Sequence, residues 1–163
     1  MIKGRAWVFG DHINTDLIIP GRYLDDYSAK NLAAHVMEDA DPEFPRKVAR
    51  GDILVAGRNF GCGSSREQAP LALKHSGISA VVADSFARIF YRNSINIGLP
   101  VIVCQGASDR IQAGEVIEVE MHGGLILLPS GERIAFSPIP DFLIRILDEG
   151  GLVPYTKRRL QAR

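Results

Sequence analysis

Twelve consecutive residues, Gly57-Arg58-Asn59-Phe60-Gly61-Cys62-Gly63-Ser64-Ser65-Arg66-Glu67-Gln68, gather glycines, hydroxyls, a thiol and a guanidinium in one short run. The run is expected to lead from the end of a strand into the start of a helix. Glycines let backbone N–H groups approach a ligand closely, and a helix N-terminus adds partial positive charge, so the place suits a carboxylate or phosphate. Its Gly-x-x-x-Gly-x-Gly spacing lacks the P-loop lysine and does not match the dinucleotide fingerprint, which makes nucleotide binding the weaker reading. Ser65 with Gln68, or Ser64 with Glu67, can form a capping box, and one serine suffices. If Ser65 caps, Ser64 stands free at the loop tip beside unpaired N–H groups that could stabilise an alkoxide, and could act as a base. Arg66 would then occupy the first helical turn, where the helix dipole opposes a cation by up to about 1 kcal/mol. Such a position fits a guanidinium held for a ligand carboxylate through two parallel hydrogen bonds. The plainer reading makes both serines caps and pairs Arg66 with a surface acid; on spacing alone it is the stronger of the two.

Other reactive side chains are dispersed. Asp16, in Asn14-Thr15-Asp16, is either a turn-forming aspartate or a site residue. Arg88 and Arg92 lie four apart on one expected helix face, where either can satisfy internal acceptors or reach a ligand or a partner chain. The two cysteines, Cys62 and Cys104, are too few for a disulfide framework, a structural zinc site or a self-contained iron-sulfur centre, so any cluster is expected on a partner. Cys62 reads first as a small residue in a tight turn. His12, His35, His75 and His122 show no pair at metal-ligand spacing, so metal bound by this chain is not expected.

At 163 residues the chain fits one domain, expected to span 1–163, and its 46% apolar and 23% charged content is that of a globular protein with a packed core. Lys plus Arg and Asp plus Glu both number 19, which gives no global field for nucleic acid or an acidic membrane. The one basic cluster, Lys157 to Arg159 with Arg163, lies at the C-terminal end and reads as a solvated tail. No run approaches the roughly 20 apolar residues that cross a bilayer, and Met1 to Gly10 lack a signal-peptide core, so a cytoplasmic protein is expected.

Around the central run, apolar patterning predicts strands at Ala6–Phe9 and Leu17–Ile19, with a polar turn between them, and a helix over Ala29–Met37 capped by Ser28. Asp41–Pro45 reads as a loop. Strand Asp52–Ala56, helix Arg66–His75, strand Ala80–Asp84, helix Phe86–Asn93 and strand Pro100–Cys104 form a β-α-β-α-β alternation. Val116–Glu120, Leu125–Leu128 and Arg133–Phe136 read as antiparallel strands, and Pro140–Asp148 as a helix closed by Gly150-Gly151. The expectation is an α/β fold, a parallel sheet with a supplementary β layer, whose chemistry gathers at the carboxyl ends of the parallel strands.

Gly-Cys-Gly-Ser-Ser-Arg-Glu-Gln-Ala from Gly61, read with Asp11-His12-Ile13-Asn14-Thr15-Asp16-Leu17-Ile18-Ile19-Pro20 and Ser85-Phe86-Ala87-Arg88-Ile89-Phe90-Tyr91-Arg92-Asn93, resembles the small subunits of 3-isopropylmalate dehydratases in the aconitase superfamily. The resemblance runs from about Gly4 to Leu152. It implies a three-layer, swivelling β/β/α domain that closes over a large subunit, in a heterodimer or heterotetramer. That partner's three cysteines would hold a 4Fe-4S cluster with one iron open to substrate. It further implies a hydro-lyase of leucine biosynthesis, in which a serine alkoxide takes the proton next to a carboxylate while the open iron takes the hydroxyl, and rehydration completes the isomerisation. Ser64 matches that serine, Arg66 a substrate-carboxylate ligand, Ser65 its substrate-binding neighbour and Asp16 an active-site aspartate.

The resemblance also places substrate choice in the loop Gly21–Tyr27, with Tyr23, Leu24 and Asp25 as substrate-binding candidates. Homoaconitase-like enzymes tend to carry Tyr-Leu-Arg-Thr there. Asp25 replaces the arginine and would repel a third carboxylate, which disfavours homoaconitate and citrate. Isopropylmalate, a small dicarboxylate, fits better. Asp25-Asp26 also departs from the apolar pair common in isopropylmalate enzymes, so 2,3-dimethylmalate stays open, as does a non-catalytic carboxylate-binding module.

Overall fold

The computed structural model describes residues 1–162, so Arg163 of the basic tail lies outside the described residues. Seven strands form one sheet in the order β4-β3-β2-β1-β5-β6-β7. β1 (Ile2–Val8), β2 (Ile53–Ala56), β3 (Ala80–Ala83) and β4 (Val101–Val103) run parallel. β5 (Val116–Glu120), β6 (Leu125–Leu127) and β7 (Arg133–Ala135) continue from β1 as an antiparallel meander.

β2 and β3 are buried at every position because both faces of the sheet are covered, which is why they read as unbroken apolar runs. Their alternate side chains divide between two cores. Leu54, Ala56, Val81 and Ala83 face a core closed by helices, among them α2 (Ala29–His35), α4 (Gln68–His75), α5 (Arg88–Asn96) and α7 (Asp141–Asp148). Ile53, Val55, Ala80 and Val82 face Ile117, Val119, Ile126 and Ile134 of the antiparallel strands, which curl back over this side. The same sheet thus supplies two layers and the helices a third, the expected β/β/α arrangement. Short helices α3 (Phe44–Lys47) and α6 (Ala107–Arg110) and the C-terminal α8 (Leu152–Gln161) complete the chain.

Most boundaries match the periodicity, and the differences have local causes. Leu17–Ile19 is not a strand. Thr15–Ile18 forms α1, begun by Asn14, whose side chain accepts the Leu17 N–H at 2.8 Å; the apolar run is a helical turn and its C-cap, with Ile18 and Ile19 buried. Asp41–Pro45 is only partly loop, because Phe44 opens α3 with Pro45 in its first turn, where a missing N–H costs nothing. Helix Phe86–Asn93 begins two residues later, at Arg88, because Phe86 is held by a bridge to Phe60. Helix α8 was not expected at all: its sequence is rich in charge and none of its residues is fully buried. Arg158 there is not merely solvated, since it pairs with Glu149 at 2.6 Å. Among the described residues, no helix is long and apolar enough to cross a membrane.

Asp52, buried just ahead of β2, ties the root of the parallel half together. Its Oδ2 accepts from Arg5 Nη2 at 3.0 Å, Trp7 Nε1 at 2.9 Å and the Ala49 N–H at 2.9 Å. Asp52→Ala leaves the indole and the amide without their acceptor and is expected to lower unfolding free energy by about 2–3 kcal/mol, read from urea denaturation midpoints.

Candidate functional site

The three sequence motifs are the loops that leave the carboxyl ends of β1, β2 and β3, three adjacent strands, and backbone bonds sew them into one rim. The first and second loops are joined by Gly57 N–H to Gly10 O (3.1 Å), His12 N–H to Arg58 O (2.8 Å), Gly61 N–H to Ile13 O (2.7 Å) and Thr15 N–H to Cys62 O (2.8 Å). The second and third are joined by Asp84 N–H to Gly57 O (3.1 Å), Phe60 N–H to Ser85 O (3.0 Å) and Ala87 N–H to Phe60 O (2.9 Å). The Ser85 hydroxyl also accepts the Asn59 N–H at 2.8 Å. Asp11 adds a side-chain clasp: its carboxylate accepts the Arg58 N–H at 2.7 Å, the main reason its pKa lies below the usual carboxylate range.

Gly61 is required by two independent constraints. Its φ is +81°, in the left-handed region, and a Cβ there would lie 2.3 Å from the Phe90 ring. The glycine therefore lets the loop of β2 lie directly on α5. Beyond it, Gly63 also has a positive φ, and the chain turns so that Ser64 and Ser65 are exposed. The Thr15 hydroxyl, buried beneath, donates to the Ser64 carbonyl at 2.8 Å and fixes the turn. Among the described residues, the backbone N–H groups of Gly63, Ser64 and Ser65 donate to no protein acceptor. The rim thus presents a serine hydroxyl beside free amide donors, the arrangement that stabilises an oxyanion.

A cavity of about 200 Å³ opens at this point. Ser64, Ser65 and Arg66 line one side, and Arg88, Ile89 and Asn93 the other. The structure corrects two local expectations. Neither serine caps α4, which starts at Gln68 with Glu67 at the N-cap and no side-chain cap bond. Both hydroxyls are thus released from structural duty. Arg66 precedes the helix and does not oppose its dipole. Its Nη1 donates to Asp16 Oδ1 at 2.9 Å and to the Ile19 carbonyl at 3.1 Å, so the surface acid of the plainer reading is Asp16 itself. The Arg66 side chain is only 20% exposed, whereas that of Asp16 is 63% exposed. The bond from Arg66, seconded by the Gly21 N–H, holds the Asp16 carboxyl below the usual range.

Tyr23, Leu24 and Asp25 do not line this cavity. Tyr23 belongs to a 3-10 turn, Gly21–Tyr23, and its ring stacks on His35 with centroids 3.6 Å apart. Arg22 lies over the Tyr23 ring, 4.8 Å from its centroid, and pairs with Asp39 at 2.7 Å and Glu38 at 3.0 Å. Leu24 packs on the helical core, while Asp25 is exposed. Asp26, exposed as well, accepts the Ser28 N–H at 2.8 Å. The turn is tied to the site through Gly21, whose N–H donates to Asp16 at 3.0 Å. Thr15 and Asn93 were not singled out by sequence: Thr15 sits inside a recognised motif, but nothing in its spacing marks a hydroxyl turned toward another loop.

Among the described residues, no group of three or more His, Cys, Asp or Glu is placed to hold a metal ion. Cys62 sits half-buried in the rim and Cys104 in the other core, near the Ala135 carbonyl, its thiol pushed up by burial. These donors do not fit a cubane cluster. A larger, more open groove of about 560 Å³ lies at the opposite, amino end of the strands. Its Lys74 is spent on the Ile97 and Gly150 carbonyls, and no sequence motif reaches it.

Residues 11–105, which contain all three motifs, match the family described as the aconitase C-terminal domain, and the chain belongs to it. Membership in that family points to an iron-sulfur enzyme. Among its relatives, the 3-isopropylmalate dehydratase small subunit 1 of Methanopyrus kandleri is 60% identical over 97% of this chain and 94% of its own length. The methanogen homoaconitase small subunit of Methanothermobacter thermautotrophicus is 55% identical over 94% of this chain and 89% of its own length. The crystal structure of 3-isopropylmalate dehydratase from Methanocaldococcus jannaschii superposes with a TM-score of 0.93 at 48% identity, covering 99% of this chain and 96% of that one.

Gly61→Ala is expected to cost about 2–4 kcal/mol of stability, the sum of backbone strain and overpacking against Phe90, measured by thermal or urea unfolding. For Asp16 the folded-state pKa is depressed, so the ion pair contributes above the ordinary aspartate range and is lost as pH falls through the depressed value. Carbon-detected NMR titration should place the Asp16 midpoint below that of a free aspartate, and Arg66→Gln should move it back up.

Proposed function

We propose that this chain, as a single domain over 1–163, is the small subunit of a hydro-lyase that interconverts 2-isopropylmalate and 3-isopropylmalate by dehydration and rehydration in leucine biosynthesis. The observation that carries the reading is the Ser64 hydroxyl, exposed and free of any capping role, on a fixed turn beside unpaired amides and the Arg66 guanidinium. The relatives named as 3-isopropylmalate dehydratase small subunits support the substrate class, and their designation supports a large-subunit partner.

In this mechanism Ser64, as the alkoxide, removes the proton from the carbon next to a substrate carboxylate. A serine hydroxyl is a very weak acid, so the alkoxide needs the N–H donors of residues 63–65 and a cation close by, in a space from which water has been expelled. Arg66 offers its remaining N–H groups to a substrate carboxylate, while Asp16 and the Ile19 carbonyl hold the guanidinium in one orientation. Ser65 contributes its hydroxyl to the same cavity. The 4Fe-4S cluster belongs to the large subunit, in keeping with the unsuitable donor set of this chain. Tyr23, Leu24 and Asp25, in the turn anchored to Asp16 through Gly21, are this chain's contribution to substrate choice. The exposed carboxylate of Asp25 works against a third substrate carboxylate and so favours isopropylmalate over homoaconitate. The homoaconitase relative keeps that alternative in the assay.

Reconstitution with the large subunit tests the reading. Turnover of isopropylmalate is expected to exceed that of homoaconitate and 2,3-dimethylmalate. Ser64→Ala is expected to lower kcat by about 10²- to 10⁴-fold without loss of subunit association. A variant that keeps the wild-type rate would remove Ser64 from the chemistry.

A further inference from the structure

We infer that Arg88 is the second carboxylate-binding cation of this site, gripping the substrate carboxylate that Arg66 does not hold; the inference rests on the dicarboxylate chemistry proposed above. A dianion confined with an alkoxide needs more positive charge than the rim's first guanidinium brings. Arg66 is paired with Asp16 at 2.9 Å, so that couple has no net charge, and its Nη1 is committed twice. The other cation on the cavity is Arg88.

Arg88 is exposed, and among the described residues no carboxylate or carbonyl takes its guanidinium. It is the first residue of α5, where the helix dipole disfavours a cation, so local structure does not account for its charge. The backbone that carries it is tied to the serine loop: Ala87, the residue before it, donates its N–H to Phe60 O at 2.9 Å, and Phe86 bridges Phe60. Arg92, one turn along the helix, does not line the cavity, which separates two residues that sequence spacing left equivalent. Ile89 beside Arg88 is 49% exposed on the same wall, an apolar surface next to the cation that suits a dicarboxylate bearing an alkyl branch.

The test uses the reconstituted two-subunit enzyme carrying Arg88→Gln, Arg88→Lys or, as a control, Arg92→Gln. Losing charge-assisted hydrogen bonds should raise KM for the dicarboxylate by about 10- to 100-fold in Arg88→Gln, with kcat much less affected. Arg88→Lys should recover part of this, and Arg92→Gln should leave KM unchanged. Equilibrium binding of succinate and of its monoamide gives a readout without turnover: the wild-type complex should prefer the dianion, and Arg88→Gln should erase that preference. Unchanged KM and preference would overturn the inference, as would weaker subunit association with an unchanged KM at saturating large subunit, which makes Arg88 a docking residue. A wild-type complex that does not prefer the dianion overturns it too. If the wild type turns over no isopropylmalate yet Arg88→Gln abolishes dianion preference, the proposed reaction fails and Arg88 keeps its role.

Discussion

The backbone ladder across the loops of β1, β2 and β3 is the constraint on which the rest depends. A parallel sheet delivers three strand ends side by side, but loops leaving such ends ordinarily diverge. Here they continue to pair after the strands stop, with Cys62 bridging Asn14 and Phe60 bridging Phe86. The pairing is possible because Gly61 and Gly63 adopt positive φ and because Gly61 has no side chain to strike Phe90. Asn59 also takes a positive φ, at +59°, so the loop stores a modest backbone strain within the stitched segment. The outcome is a serine held to a defined place by carbonyls and amides, with no side-chain bond restraining its hydroxyl.

That rim is positioned by elements whose burial leaves little freedom. β2 and β3 have cores on both faces, and interiors packed so densely transmit any shift of a strand to its end loop. The Asp52 node fixes the starts of the strands and the ladder fixes their ends. A site built on rigid elements keeps its geometry without help, and in the proposed role the large subunit meets donors and hydroxyls already placed.

How much of this was legible from sequence varied with the physics that marks each residue. β2, β3 and β4 stood out as short apolar runs between glycines and polar turns, and the meander from β5 to β7 stood out because glycines separate its strands. Leu17–Ile19 misled, because three consecutive apolar residues look the same in a strand and in a helical turn; Asn14, as the cap, was the deciding residue. The motif loops marked the candidate site, but spacing could not say whether Ser64 or Ser65 capped α4. The answer, that neither does, depends on the loop's long-range pairing. Arg66 was read both as a ligand for carboxylate and as the partner of a surface acid, and the fold supplies that acid in Asp16, fifty residues earlier in the chain. Arg88 and Arg92 were indistinguishable by periodicity, and only the orientation of α5 separates them. Helix α8 escaped notice because a half-exposed helix carries a weak apolar stripe.

The unsatisfied amides of residues 63–65 have a consequence for the subunit on its own. While the rim faces bulk solvent, water hydrates those donors and the Ser64 oxygen alike, and the field around the hydroxyl is damped by the high dielectric. In the proposed role, the chain alone is chemically dormant, and its basic oxygen is armed by dehydration at the moment of docking. Such a design couples reactivity to assembly with no moving part inside the domain, and spares the cell a free-standing strong base.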